Sequence, residues 1–227
     1  MANFFWAPER MWLTWQTRDD LNRLHEYALL VRNFLDSRAN VPAPGDLTLD
    51  SEDDHADAEW QLHQERFGVL FQETLTASLL VTTDTYIETQ LKRICDAIEK
   101  AKLDILVKRS DIKGESVIDQ LRIFLKKVHG VSTFPDQSTE WSRVTTYHIV
   151  RNAITHADGR VASKKAMRKV QALQRFRPDF LEIEGDTVKP TFAGCLDFIK
   201  NGKDFIHKLL KNMSDWDSNP QIDPPAV

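Results

Sequence analysis

Cysteine is nearly absent from this 227-residue chain, and long apolar runs are absent altogether. The two cysteines, Cys95 and Cys195, both fall on predicted helices, so we expect no disulfide framework and a reducing compartment. No stretch of about 18 apolar residues is present to cross a membrane. Glu9 and Arg10 interrupt the apolar start of the chain, where a secretory segment would continue. We therefore predict a cytoplasmic protein that does not associate with membranes.

The chain also lacks the short motifs of the common enzyme classes. It has no phosphate-binding glycine loop, no dinucleotide-binding glycine pattern, no nucleophile elbow and no paired pattern of zinc ligands. The acidic residues and the histidine within 53–57 fit a solvated linker better than a metal site, because no second cluster of Cys or His has ligand spacing. We therefore predict neither a metal nor a cofactor.

A charge excess that would attract nucleic acid is missing as well, since the formal net charge is −4. Any binding of nucleic acid must then come from local clustering of basic residues. Hydrophobic residues make up 41% of the chain and charged residues 28%, which is the composition of a globular protein with a core rather than of a disordered one.

Apolar residues recur at helical spacing over most of the chain. This spacing predicts helices over residues 9–38, 57–103, 115–129, 138–159, 162–175 and 192–213. Within the second helix, the threonine-rich segment 78–85 predicts a break or bend. A β-hairpin is predicted within 180–191, with Gly185 and Asp186 at its turn. The predicted fold class is all-α, a helical bundle with a small C-terminal β-hairpin insertion.

The same features divide the chain into four parts. Residues 1–39 are predicted to form an N-terminal helix that packs on the bundle, and we expect most of Trp12, Trp15, Trp60 and Trp141 to lie in the core. Residues 40–56 are predicted to be an acidic, flexible linker. Residues 57–213 form the main helical domain, and residues 214–227 are predicted to be a disordered tail.

Arg151, Asn152 and His156 form the most informative pattern, R-N-x-x-x-H, near the end of a predicted helix. A permanent cation, a side-chain amide and an imidazole that titrates near neutrality are the groups needed to cleave RNA without a metal ion. Asn152 and His156 lie one helical turn apart, so the amide can orient the ring. These three residues are the predicted catalytic residues.

The helical geometry separates two of these groups. Arg151 lies roughly 140° around the helix axis from His156, so a single helix directs the guanidinium and the imidazole apart. A second copy of the chain, related by a two-fold axis, could bring both groups to a shared cleft. We therefore predict that the protein acts as a homodimer.

The residues Arg151, Asn152 and His156 resemble the R-x4-6-H signature of the HEPN superfamily, in which a polar residue often follows the arginine. The resemblance could extend from the helix near residue 60 to about residue 213, although its diagnostic part is six residues long. It implies an all-α, dimeric fold and a metal-independent endoribonuclease that leaves a 2′,3′-cyclic phosphate. It also implies a prokaryotic toxin or phage-defence setting, in which an antitoxin or another protein would be a partner.

A basic segment directly follows the motif, and residues 160–177 contain no acidic residue. On a helix, its charges would form a track for phosphates, or equally a solvated surface. The predicted RNA-binding residues are Arg160, Lys164, Lys165, Arg168 and Lys169.

Glu88 is a further candidate for the catalytic site, because it falls within the apolar rows of a long helix. Its carboxylate could orient Arg151 through paired hydrogen bonds, a role that acidic residues have in some HEPN nucleases. The alternative is an exposed pair with Lys92, one turn later. His148, one turn before Asn152, has at most a supporting role.

Three functions are compatible with these patterns. The first is an endoribonuclease in which His156 transfers a proton and Arg151 stabilises the negative charge that develops at phosphorus. The second is a non-catalytic HEPN module that binds RNA, a nucleotide or a protein partner. The third is a helical scaffold in which Arg151 pairs with Glu88 and His156 only caps its helix.

Overall fold

The structure is a computed structural model that describes residues 6–42, 54–101, 107–129 and 134–218. Its helices are α1 (Trp6–Ala39), α2 (Asp54–Gln64), α3 (Phe71–Ala101), α4 (Val117–His129), α5 (Thr139–His156), α6 (Lys164–Phe176) and α7 (Phe192–Ser218). Two short antiparallel strands, β1 (Leu181–Glu184) and β2 (Thr187–Pro190), lie between α6 and α7. The prediction of an all-α fold with a small β-hairpin near the C-terminus is confirmed.

The predicted linker and tail fall largely outside the described residues. Of the linker at 40–56, residues 43–53 are not described, and α2 begins at Asp54. Of the tail at 214–227, residues 219–227 are not described, and α7 continues to Ser218. Among the helices that the structure describes, none combines the length and apolar character needed to cross a membrane.

Local capping explains why α5 and α6 begin where the sequence predicts. The hydroxyl of Ser138 accepts a hydrogen bond from the backbone N–H of Trp141 at 3.1 Å. Ser163 accepts one from Ala166 at 3.4 Å in the same way. Each cap satisfies a backbone donor that has no partner inside its helix.

The long helical region between 54 and 101 deviates from regular α-helix at a different place from the one predicted. Residues Glu65–Leu70 form a π-helical turn between α2 and α3, whereas the threonine-rich segment 78–85 remains regular α-helix. Within that segment, the hydroxyl of Thr83 donates to the carbonyl of Leu79 at 2.7 Å. Because the hydroxyl is satisfied inside the helix, this threonine does not interrupt it.

Helix α3 lies at the centre of the molecule and packs against α1, α4, α5 and α7. Its buried residues include Leu80, Ile87 and Leu91. On α5 the fully buried Tyr147 stacks on Phe198 of α7, with ring centroids 4.4 Å apart. Burying aromatic rings removes the largest apolar areas from water, so this contact fixes α5 firmly against α7.

Most of Trp12, Trp15, Trp60 and Trp141 were predicted to belong to the core, but only Trp141 is buried, and Trp12 and Trp15 on α1 are exposed. Both indole rings are more than half exposed on the outer side of α1. The face of α1 that packs on the bundle instead carries residues such as Leu13, Leu21 and Ala28, which are buried. The apolar residues of α1 thus occupy two sides of the helix, and only one of them faces the core.

The hairpin supports the end of α5. Its register pairs Leu181 with Pro190 and Glu184 with Thr187, and Gly185 at the turn has φ = +63°. The backbone N–H of Val188 donates to the carbonyl of Gly159 at 2.9 Å. The hairpin therefore holds the segment that connects α5 to α6.

Candidate functional site

Four side chains from α3 and α5 form a closed ring of polar contacts. The fully buried carboxylate of Asp84 accepts a hydrogen bond from Nδ1 of His148 at 3.0 Å. Nε2 of His148 lies 3.1 Å from Nδ2 of Asn152, and Oδ1 of Asn152 accepts a hydrogen bond from Nη1 of Arg151 at 2.9 Å. Nε of Arg151 closes the ring at 3.6 Å from Oδ2 of Asp84.

The ring of polar contacts determines which nitrogen of His148 donates a hydrogen bond and which accepts one. Arg151 can only donate, so the atom of Asn152 that faces it must be the carbonyl oxygen. The NH₂ group of Asn152 then faces His148 and donates to Nε2, which must be unprotonated to accept it. In this arrangement Nδ1 of the imidazole donates its proton to Asp84 and Nε2 accepts from Asn152.

Arg151 is held at the edge of the buried region. Its guanidinium balances the charge of Asp84, and a fully buried carboxylate without such compensation would be strongly unfavourable. The separation of 3.6 Å is an ion-pair distance, and the side chain of Arg151 remains 24% exposed. The side chain of Arg151 is thus partly accessible, while its Nε is buried and its position is fixed from behind.

His156 differs from His148 in its exposure and in its contacts. It is the last residue of α5, it is exposed, and its side chain makes no hydrogen bond or ion pair to any residue that the structure describes. Asn152, which was predicted to orient the ring of His156, instead bonds His148 and Arg151. Both ring nitrogens of His148 therefore contact neighbouring side chains, whereas those of His156 contact none of the described residues.

The chain leaves α5 through an unusual turn. Asp158 has φ = +47° and Gly159 has φ = +82°. A Cβ atom at position 159 would lie 3.0 Å from the carbonyl oxygen of Val188, so both the backbone conformation and the close approach of β2 favour glycine here. This turn directs the chain from His156 into the basic helix α6.

Glu88 does not lie against Arg151. Its carboxylate pairs with Lys92 at 2.5 Å, one turn later on α3, as the alternative interpretation of the sequence expected. The carboxylate beside Arg151 is that of Asp84, one turn before Glu88.

An open cleft of about 770 Å³ lies between α4, α5 and α6, next to the ring. His148 and Asn152 line it from α5, and Lys169 and Phe176 line it from α6. Lys169 makes no ion pair within the part of the chain that the structure describes, and Phe176 is mostly exposed. His156 is not among the residues that line this cleft. A volume in this range is typical of sites that bind small molecules or single nucleotides.

Four basic residues of α6 and one residue just before it form a basic surface. Their side chains are exposed and form no ion pair inside the described ranges, and this basic surface consists of Arg160, Lys164, Lys165, Arg168 and Lys169. Arg177, at the end of the basic segment, is different, because it pairs with Asp179 and stacks on the ring of Phe180. The structure thus leaves five neighbouring cations available to a negatively charged partner.

Metal ligands do not gather anywhere in the described part of the chain. No group of three or more His, Cys, Asp or Glu side chains is arranged there so that it could hold a metal ion.

No protein-family model, curated protein or solved structure significantly matches this chain.

Asp84 is the site residue that sequence reasoning missed. The sequence did contain a signal, because Asp84 lies in the middle of the apolar row formed by Leu80, Ile87 and Leu91 on α3. Glu88 lies at the edge of this row. A carboxylate at the centre of a buried row requires a partner from another helix, and α5 supplies two.

Proposed function

We propose that this protein is a metal-independent endoribonuclease of the HEPN type, whose site is completed where two copies of the chain meet. One observation carries the proposal. A ring of buried polar contacts fixes Arg151 at the surface, and an exposed histidine with free nitrogens lies five residues later on the same helix. The toxin or phage-defence setting belongs to the same proposal and rests on the resemblance of the motif.

The reaction needs one proton removed and one supplied. The 2′-hydroxyl of a ribose attacks the adjacent phosphorus, the bond from phosphorus to the 5′-oxygen of the next nucleotide breaks, and a 2′,3′-cyclic phosphate forms. His156 accepts the proton of the 2′-hydroxyl or donates one to the departing 5′-oxygen. Arg151 stabilises the additional negative charge on the phosphoryl oxygens in the transition state.

The two histidines have separate tasks under this proposal. His148 holds the amide of Asn152 and, with Asp84, holds Arg151, so His148 is a positioning residue. His156 is available to exchange protons, because neither of its nitrogens is engaged by a described residue. The basic surface on α6 follows the site directly and would contact the phosphates that flank the scissile bond.

A cleavage assay with defined variants tests the proposal. We expect wild-type protein to cut single-stranded or looped RNA in the presence of EDTA and to leave 2′,3′-cyclic phosphate ends. His156→Ala should lose about 10²–10⁴-fold in rate, the usual contribution of acid–base catalysis, while the circular dichroism spectrum stays unchanged. Arg151→Lys should also lose rate, because an ammonium cannot replace the planar guanidinium.

The matched control is His207→Ala, which removes another exposed histidine, on α7. This variant should cleave like the wild type. Equal cleavage by the His156→Ala and wild-type proteins would show that His156 takes no part in the reaction.

A second function is supported by the position of the cleft. His148, Asn152 and Lys169 line it and His156 does not, so the chain could bind RNA or a nucleotide there without cutting it. This is the non-catalytic HEPN module. Binding of a labelled oligonucleotide that is weakened by Lys169→Gln, with no product in the cleavage assay, would favour this function over the nuclease.

A further inference from the structure

The outer face of α1 exposes an unusual amount of apolar surface. The side chains of Trp12, Trp15 and Tyr27 are each between 52% and 56% exposed, and Leu30 is 70% exposed. The helix itself is firmly attached, since Leu21 on its inner face is almost completely buried. Large exposed side chains on a well-anchored helix indicate an interaction surface rather than a poorly packed element.

These residues are arranged symmetrically along the helix. Trp12 and Leu30 lie equally far from Leu21 in sequence, on either side of it, and so do Trp15 and Tyr27. The same holds for Asp19 and Arg23. Successive members of this set of six are three or four residues apart, so they form one stripe along the outer side of α1.

We propose that this stripe pairs with the same stripe of a second copy of the chain. In an antiparallel arrangement with the two-fold axis passing beside residue 21, each residue meets its symmetric counterpart. Trp12 then packs against Leu30 of the second copy, and Trp15 packs against Tyr27. Every large apolar residue of the stripe gains an apolar partner.

The charges in the middle of the stripe fit the same arrangement. Asp19 and Arg23 form an ion pair within one chain at 2.9 Å, and the side chain of Arg23 is largely exposed. Across the axis, Asp19 of one copy faces Arg23 of the other, so the four charges alternate in sign. A parallel pairing would instead bring Asp19 onto Asp19 and Arg23 onto Arg23, which is unfavourable. The charges therefore select the antiparallel orientation.

The exposed area is large enough for such a pair. Three half-exposed aromatic rings contribute on the order of 300 Å². Leu30 and the neighbouring Met11 and Phe34, which are also more than half exposed, raise the area to roughly 600 Å² per copy. A typical stable interface buries about 800 Å² per partner, and the polar residues of the stripe supply part of the remainder.

This surface is separate from the proposed nuclease site, because it contains neither Arg151 nor His156. The inference therefore stands independently of the proposed function. If both contacts form, the chain assembles beyond a dimer, with one interface at α1 and another near the end of α5.

Reversal of charge tests the pairing. Asp19→Arg places four positive charges around the axis and should raise the dissociation constant of the pair at least about tenfold in sedimentation velocity. The double variant Asp19→Arg/Arg23→Asp restores the alternation, because the stripe is symmetric, and should return the constant to near the wild-type value. Asp186→Arg, the same change on the exposed hairpin turn, is the matched control and should leave association unchanged.

Cysteine cross-linking tests the register. Trp15→Cys protein mixed with Tyr27→Cys protein should form a disulfide between chains. Tyr27→Cys alone should not, because the two copies of residue 27 would lie about 18 Å apart along the helices, too far for a disulfide. The native cysteines are buried and do not interfere.

Three results would overturn the inference. They are a chain that stays monomeric at high micromolar concentration, an assembly that is indifferent to Asp19→Arg, and a cross-link that forms as readily in Tyr27→Cys alone as in the mixture. Binding of the stripe to lipid vesicles in place of a second copy would also contradict it. The substituted residues are exposed, apart from the partly exposed Asp19, so the variants should fold, which circular dichroism verifies.

Discussion

At the scale of single residues, the molecule uses two histidines of one helix in opposite ways. His148 contacts Asp84 and Asn152 and has no free nitrogen, whereas His156 contacts none of the described residues through its ring nitrogens. The sequence pattern favoured His156, because its spacing from Arg151 resembles the R-x4-6-H signature, whereas the role of His148 became visible only in the structure. His148 provides a polar partner for a carboxylate that α3 brings into the interior.

This arrangement predicts the effect of removing His148. His148→Ala leaves the buried Asp84 with Arg151 alone, at 3.6 Å, and should lower the free energy of unfolding by about 3 kcal/mol. Urea titration measures the change. Adding Asp84→Asn to this variant should recover part of the loss, because the poorly compensated charge is then removed. A loss below about 0.5 kcal/mol for His148→Ala, the size expected of an ordinary surface substitution, would contradict this account of the ring.

At the scale of elements, the features that depend on contacts between residues close in sequence could be predicted, and those that depend on packing between distant helices could not. The starts of α5 and α6 were predictable, because Ser138 and Ser163 cap helices through contacts three residues away. The hairpin was predictable from its turn residues. The exposure of Trp12 and Trp15 was not, because α1 has apolar residues on two sides and the packing of α3 and α7 decides which side is buried.

The candidate site could likewise be predicted only where its residues lie close together in the sequence. Arg151, Asn152 and His156 were found because they lie on one helix at recognisable spacing. Asp84 lies more than sixty residues earlier in the chain, and only the packing of α3 on α5 brings its carboxylate to them. The cleft depends on three helices at once and left no pattern in the sequence.

The basic surface on α6 predicts a specific dependence on salt. Lys165→Gln/Lys169→Gln should weaken RNA binding and reduce the slope of log Kd against log salt by about 1.4, because two phosphate contacts to a single strand are lost. Fluorescence anisotropy over a salt series measures the slope. The pair Lys200→Gln/Lys211→Gln on α7 removes the same charge elsewhere on the surface and should leave the slope unchanged. An equal change in both variants would show that only net charge matters.

At the scale of the whole molecule, the proposed cleavage reaction requires more than one copy of the chain. Helical geometry directs Arg151 and His156 to different sides of α5, and the ring fixes Arg151 on the side of α3. Within a single chain, the guanidinium of Arg151 and the imidazole of His156 therefore cannot both contact one phosphate. The symmetric stripe on α1 offers a second, independent route to assembly.

Complementation between two inactive variants tests the central claim most directly. Arg151→Ala and His156→Ala proteins are each measured alone, and then after mixing under conditions that allow the chains to exchange. Half of the randomly formed pairs would then contain one intact Arg151 opposite one intact His156. If the site is shared between two chains, the mixture should regain roughly a quarter to a half of the wild-type cleavage rate, although each variant alone is inactive. A mixture that remains as inactive as its components, although mixed pairs have formed, would contradict a site shared between two chains.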